Sequence, residues 1–239
     1  MDNPQGSGDM IDNFKTTPQY AYILGVYLGD GWVGNYYGDN RVGLKCIDSD
    51  FVLAVYKTFT ELQTKNKPCI YFDIAKNNKK HIGRKPMFQV SVADKELNST
   101  LKIDTECKSK IPEYVFQWDL TNKKKFIEGL MDSEGSISER KTSRKDRKIM
   151  HLSQMYCMSF CNTAPWFEDF ISICRSVGLI IGKTGSKIEK SGSVCKYFYI
   201  RIKSWVNSGL HFNIKRKQDR VEKYMSHLTT PQRLHVLYA

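Results

Sequence analysis

The feature that most constrains this chain is that its pattern is written twice. Residues 20–31 read YAYILGVYLGDG and residues 125–135 read KFIEGLMDSEG. Aligned on their glycines, Gly25 matches Gly129, Gly29 matches Ser133, Asp30 matches Glu134 and Gly31 matches Gly135, at a constant offset of 104 residues. Each copy reads as an apolar helix ending in an acid and a glycine. The segments downstream of each copy correspond as well. After Asp30 come WVGNYY, a turn at Gly38 to Asn40, and RVGLKCI, a β-hairpin; DSDFVLAVYKTFTELQ then has a helical period, with Asp48 or Ser49 as its cap. After Glu134 come SISER, a basic loop and MYCMSFCN, then a helix in TAPWFEDFISICRSVGL capped by Thr163 and stopped by Gly178. CIYFDIA and MFQVSVA in the first half answer LIIGKTG and KYFYIRI in the second. The reading is an α+β chain of two pseudo-symmetric αββαββα halves, residues 16–118 and 119–239. Thr121 is expected to cap the second motif helix, and residues 1–15 to form a polar, disordered arm.

Apolar residues make up 41% of the 239, enough for a packed core, and no stretch approaches the roughly 18 apolar residues of a membrane span. The amino terminus MDNPQGSGDMIDNF has neither a secretory core nor an arginine-rich amphipathic pattern, so a non-secreted protein of the cytoplasm or an organellar matrix is expected. A net charge of +12 calls for a polyanionic partner, because neutralising phosphates releases condensed counterions. The seven cysteines show no paired spacing of the disulfide-scaffold or zinc-ribbon kind; Cys157 and Cys161, four apart in an apolar run, read as core residues. No histidine has metal-ligand spacing.

Gly25 and Gly29 lie on one helix face, as do Gly129 and Ser133. A glycine inside a helix costs about 1 kcal/mol against alanine. Two such costs at matching positions point to an interface where the helix backbones approach closely. That packing brings Asp30 and Glu134 side by side. A carboxylate in the last turn meets the negative end of the helix dipole, and a second one adds repulsion. A divalent cation relieves both. Mg²⁺, with Mn²⁺ as a substitute, is held by one or two carboxylates together with phosphate oxygens and water.

ILGVYLGDG (23–31) and IEGLMDSEG (127–135) resemble the two copies of the LAGLIDADG signature, and the order of elements resembles single-chain LAGLIDADG homing endonucleases from about residue 19 to about residue 228. The resemblance implies a monomer that cuts both strands of a long, asymmetric duplex DNA target. Gly25, Gly29, Gly129 and Ser133 would form the interface of the motif helices, and each half would present a four-stranded antiparallel saddle to the major groove. Asp30 and Glu134 would be the catalytic metal ligands, with the carbonyls of Gly29 and Ser133 as further oxygens. A polar residue is implied at the end of the second strand of each half. Asn162 fills that place in the second half; the first half has Cys46 where Gln or Asn is the pattern. A basic residue is also implied late in each half. KSKIP (108–112) and KRKQ (215–218) offer Lys108 or Lys110 and Lys215 or Lys217, of which Lys110 and Lys217 are favoured.

Strand alternation puts Arg41, Gly43 and Lys45 on one face, suited to base edges in the major groove. Three basic segments, 76–85, 140–148 and 183–196, are expected to reach outer phosphates as loops. The residues are Lys79, Lys80, Arg84 and Lys85, then Arg140, Lys141, Arg144, Lys145, Arg147 and Lys148, then Lys183, Lys187 and Lys196. Arg201 and Lys203 join them from the end of the last strand. An intron maturase that binds RNA on the same scaffold is the second reading.

Overall fold

The computed structural model describes residues 14–36, 38–73, 86–146, 149–190 and 192–229. A 3₁₀ turn at Phe14–Thr16 leads into α1, Pro18–Leu28. Thr17 caps α1 by accepting the Tyr20 N–H at 3.2 Å, and Pro18 sits in the first turn, where no intrahelical donor is needed. Then come β1 (Trp32–Tyr36), β2 (Asp39–Cys46), α2 (Ser49–Glu61), β3 (Cys69–Asp73), β4 (Met87–Ala93), α3 (Lys95–Asp104) and the single turn α4 (Tyr114–Gln117). The second half repeats the order as α5 (Leu120–Ser133), β5 (Gly135–Asp146), β6 (Ile149–Asn162), α6 (Phe167–Ser176), β7 (Ile181–Ile188), β8 (Val194–Ile200), α7 (Ile202–Asn207) and α8 (Lys215–Thr229). The sheets have the same antiparallel topology, β1-β2-β4-β3 and β5-β6-β8-β7. The expected α+β pattern of two matching halves is thus the observed one.

α1 is apolar on every side, and all its residues from Tyr20 to Leu28 are buried, as a helix at the centre of a molecule must be. It packs chiefly on α5. One face of each sheet carries the core. In the first half Val42, Leu44, Val90 and Val92 meet Phe51, Val52, Val55 and Phe59 of α2. In the second, Phe160 stacks on Phe198 with centroids 5.5 Å apart and contacts Phe170 at 4.7 Å. The helices lie on these faces, leaving the opposite faces open.

Five sequence expectations change. Phe14 and Lys15 are not part of an arm: the Phe14 ring packs edge-on against Tyr20 at 5.1 Å and Lys15 pairs with Asp104 at 3.1 Å. The rest of that segment, 1–13, lies outside the described residues. Asp119, not Thr121, caps α5 by accepting the Asn122 N–H at 2.7 Å. Thr163 stands too far ahead of α6, which starts at Phe167 with no side-chain cap. Finally, 140–146 is strand rather than basic loop, because IMHLSQM opposite it supplies apolar, strand-forming residues that sustain the ladder from Gly135↔Phe160 out to Asp146↔Ile149. Segment 183–196 is likewise mostly strand, in β7 and β8.

Candidate active site and nucleic-acid face

The glycines of the motif helices are required by backbone contact. A Cβ on Gly25 would lie 2.3 Å from the Phe126 carbonyl oxygen, and one on Gly129 would lie 2.3 Å from that of Tyr22. A Cβ on Gly29 would fall 2.4 Å from the Ser133 Cβ and 3.3 Å from Glu134 Cγ. The interface therefore has the predicted residues, and it ends where the two acids stand. Asp30 is exposed and Glu134 half-buried. Burial, and then the charge of Asp30, raise the Glu134 carboxyl above its ordinary value against the pull of Lys108 and Lys217. The carboxylates therefore share one electrostatic environment.

Two lysines complete the site with matching geometry. Lys108 Nζ donates to the carbonyls of Gly29 and Gly31, each at 2.7 Å, at the end of α1. Lys217 Nζ donates to those of Met131 and Asp132 at 3.0 and 2.6 Å, at the end of α5. Cations at helix carboxyl ends offset the dipole that the acids oppose. Burial lowers both ammonium groups, Lys217 to about 8, although the neighbouring acids pull the other way. Lys217 thus stands where the sequence placed it. Lys110 does not: its side chain is exposed and pairs with Glu106 at 2.6 Å, so Lys108 is the inward lysine of the first half. Lys215 also faces outward, to Asp219 at 2.7 Å.

Each lysine segment is anchored by the other half. Trp166 Nε1, at the start of α6, donates to the Lys108 carbonyl at 2.9 Å. Arg216, beside Lys217, makes a bidentate pair with Asp48 at the start of α2, at 2.7 and 2.8 Å. Glu106, Cys107 and Lys108 have φ of 46°, 55° and 73°, three consecutive non-glycine residues in the left-handed region. Such strain persists only where surrounding contacts fix it.

The register makes Cys46 the counterpart of Asn162, since Gly43↔Trp32 and Ser159↔Ser136 are equivalent pairs. Asn162 Oδ1 accepts the Ala164 N–H at 2.8 Å, and Cys46 Sγ donates to the Asp48 carbonyl at 3.3 Å. The Cys46 thiol, pushed up to about 11 mainly by burial, feels the charge of Asp30. A buried polar cluster that sequence reasoning missed backs α5. Asp132 accepts from Tyr22 at 2.9 Å and from the Asn213 side chain at 2.9 Å, while Glu128 takes Lys125 at 2.7 Å and His211 at 2.9 Å. Its sequence signal is two acids four apart, Glu128 and Asp132, inside the apolar motif helix.

On the open face of the first sheet, Arg41, Gly43 and Lys45 alternate beside Ser91 and Gln89, as expected. Arg41 is held by Asp39 at 3.2 Å. Trp32 lies over Gly43, where a Cβ would come within 2.6 Å of the ring. On the second sheet the open face carries Ser136, Ser138, Ser159, Cys161, Lys187, Cys195, Tyr197 and Tyr199. Cys161 therefore belongs to the open face and not to the core, because Met158 and Phe160 take the inward positions. Lys196 is also displaced from expectation: it faces the helices, 3.6 Å from Glu168 and over the Phe167 ring. Lys183 and Lys187 are exposed on β7. Arg201 and Lys203 line a cleft of about 720 Å³ beside α7 with Tyr199 and Tyr224, away from the acids. Arg140, Lys141, Arg144 and Lys145 lie on the β5 backbone, but their side chains, with Lys79, Lys80, Arg84, Lys85, Arg147 and Lys148, lie outside the described residues.

Among the described residues no three His, Cys, Asp or Glu side chains cluster as a metal cage, and no helix is long and apolar enough to cross a membrane. The fold, with α1 packed on α5 and two four-stranded antiparallel sheets, is shared by solved structures of homing endonucleases. The homing endonuclease I-WcaI, bound to its DNA recognition sequence, is similar with a TM-score of 0.54 at 12% identity, covering 90% of this chain and 94% of that one. The LAGLIDADG meganuclease I-AabMI, bound to uncleaved DNA, gives 0.52 at 9% identity over 89% and 91% of the two chains. I-SmaMI, bound to its uncleaved DNA target in the presence of calcium ions, gives 0.50 at 9% identity over 90% and 94%. No protein-family model and no curated protein sequence matches the chain.

Proposed function

We propose that this chain is a site-specific homing endonuclease that hydrolyses one phosphodiester bond in each strand of a long, asymmetric duplex DNA target, with divalent metal. The observation that carries the reading is the convergence of Asp30, Glu134, Lys108 and Lys217 at the shared end of α1 and α5. The solved DNA complexes of the same fold, one of them with calcium, support duplex DNA and a divalent ion.

The donor set fits such an ion. Burial and mutual charge make the Glu134 carboxylate costly to ionise, which a cation offsets, and the two acids offer hard oxygens. Asp30 and Glu134 would hold Mg²⁺, with Mn²⁺ in its place, assisted by the carbonyls of Gly29 and Ser133. Two carboxylates leave most of a coordination sphere to water and phosphate oxygens. When bound, the ion supplies Lewis acidity and a lowered pKa for the attacking water. Lys108 and Lys217, held against helix-end carbonyls, are positioned to stabilise charge that develops on the phosphate and on the leaving 3′ oxygen. Asn162 and Cys46 occupy equivalent places beside the two halves of the site, where Asn162 would order solvent. Arg41, Lys45 and the basic residues of the strands would contact the duplex.

The test is selection of cut duplexes from a randomised library in Mg²⁺. One recovered asymmetric sequence, cut by the parent and not by Asp30→Asn, supports the reading. Binding of structured RNA with no cutting of any duplex would instead identify an intron-folding protein.

A further inference from the structure

The open face of the second sheet carries two thiols in direct contact. Cys161 Sγ lies 2.7 Å from Cys195 Sγ. Cys161 pairs across the ladder with Tyr197, so Cys195 is its diagonal neighbour on the same face of adjacent strands. Lys187 stands opposite Cys195 on β7, where it pairs with Glu189 at 2.9 Å. Cys161 is half-buried and reachable from the open side, whereas Cys195 is 6% exposed. Cys174 is fully buried in α6, with its thiol held up by burial, so it has no such neighbour or access.

We propose that Cys161 and Cys195 are the site of a reversible disulfide, formed by exchange with a small-molecule disulfide, that switches off the DNA-facing side of the second sheet. The switching rests on the endonuclease reading; the bond does not. In the first step Cys161, the more exposed of the two, gives up its proton and attacks one sulfur of RSSR as the thiolate, forming a mixed disulfide and releasing one thiolate RS⁻. The Cys195 thiol then loses its proton and attacks the Cys161 sulfur, displacing the second RS⁻. The sum is two protein thiols and RSSR giving one protein disulfide and two RSH. Burial holds the Cys195 thiol up at about 11 and leaves it 6% exposed, so Cys195 is the second of the two to react. With the sulfurs already 2.7 Å apart, closing the bond cross-links β6 to β8 and fixes their relative position. The cross-link would lie beside Asn162, which follows Cys161 and pairs with Lys196, and against the strand that carries Lys187.

The experiment treats the whole protein with oxidised glutathione, maps peptides without reduction, and measures duplex cleavage before and after a dithiol reductant. The expected result is a peptide linked through Cys161 and Cys195 and a cleavage rate at least tenfold lower, restored by reductant. Cys195→Ser should instead keep a glutathione adduct on Cys161. Free Cys161 and Cys195, or a stable adduct on either in the parent, would overturn the site. A linked peptide with unchanged cleavage would overturn the switch. If the reduced protein cuts no duplex, the endonuclease reading has failed while the linked peptide still supports the disulfide.

Discussion

Glu134 is a carboxylate kept where ionisation is unfavourable, and that has consequences for stability as well as chemistry. Its folded-state pKa is raised, so its contribution to stability is present below the unfolded value and is lost as pH rises through the folded one. At pH 7 the ionised group costs stability. Glu134→Gln is therefore expected to raise the melting temperature slightly while abolishing double-strand cleavage and leaving DNA binding intact. The relieved helix-dipole clash is worth about 0.3–1 kcal/mol. Full Mg²⁺-dependent cutting by this variant would refute the assignment. The lysines divide as sharply. Lys108→Met should slow cleavage by about 10² or more, the scale of losing one preorganised electrostatic group, while Lys110→Met should cut at the parental rate. The Glu128–His211 pair adds a pH response. Its hydrogen bond to Glu128 raises His211, while bonds from His211 and Lys125 outweigh burial and hold Glu128 low. The His211 contribution is present below its unfolded value near 6.5 and disappears as pH rises through the folded one; the Glu128 contribution is present above about 4.5 and disappears as pH falls. Melting temperature should thus decline as pH is raised above the His range, and His211→Ala should flatten that decline.

At the level of elements, α1 and α5 were legible because small residues spaced by four in two apolar helices have one economical explanation, and their acids come with it. The succession of strands and helices along the chain was legible from alternation and from the repeat itself, but the order of the strands within each sheet was not. The inward lysine was not, because segment 106–108 runs through the left-handed region, where no periodicity tells which side chain turns inward. Nor was the face of Cys161, since an apolar run reads alike whichever parity is buried. Packing makes the interface glycines testable: Gly25→Ala or Gly129→Ala drives a Cβ to 2.3 Å from backbone oxygen, which only separation of the helices can relieve. Either should cost about 3 kcal/mol or more by denaturant titration. Gly182→Ala, whose Cβ would meet Tyr199 at an ordinary 3.6 Å, should stay within about 0.5 kcal/mol of the parent.

The whole molecule is pseudo-symmetric at its centre and asymmetric at its edges. The site is locked across the halves, by Trp166 on the Lys108 segment and by Asp48 on Arg216. Outward, the hairpins diverge. β1 and β2 pair only as far as Tyr36↔Asp39, whereas β5 and β6 continue to Asp146↔Ile149. Because β8 pairs with β6 only over Met158–Asn162, the outer part of the second hairpin projects past its sheet as a two-stranded ribbon. From residue 140 to 146, at about 3.3 Å per residue, it reaches roughly 20 Å, or about 6 base pairs of duplex. The ribbon carries Arg140, Lys141, Arg144 and Lys145 in its sequence. Replacing 141–154 by a two-residue turn should therefore shorten the nuclease-protection footprint by about 6 base pairs on the second-half side alone. The slope of log K against log salt should fall by about 0.9 for each phosphate that the shortened hairpin no longer neutralises. The cleavage position should not move, since the acids and lysines lie at the other end of the hairpin. A footprint shortened equally on both sides, or a displaced cut, would show that the ribbon does not lie along the DNA.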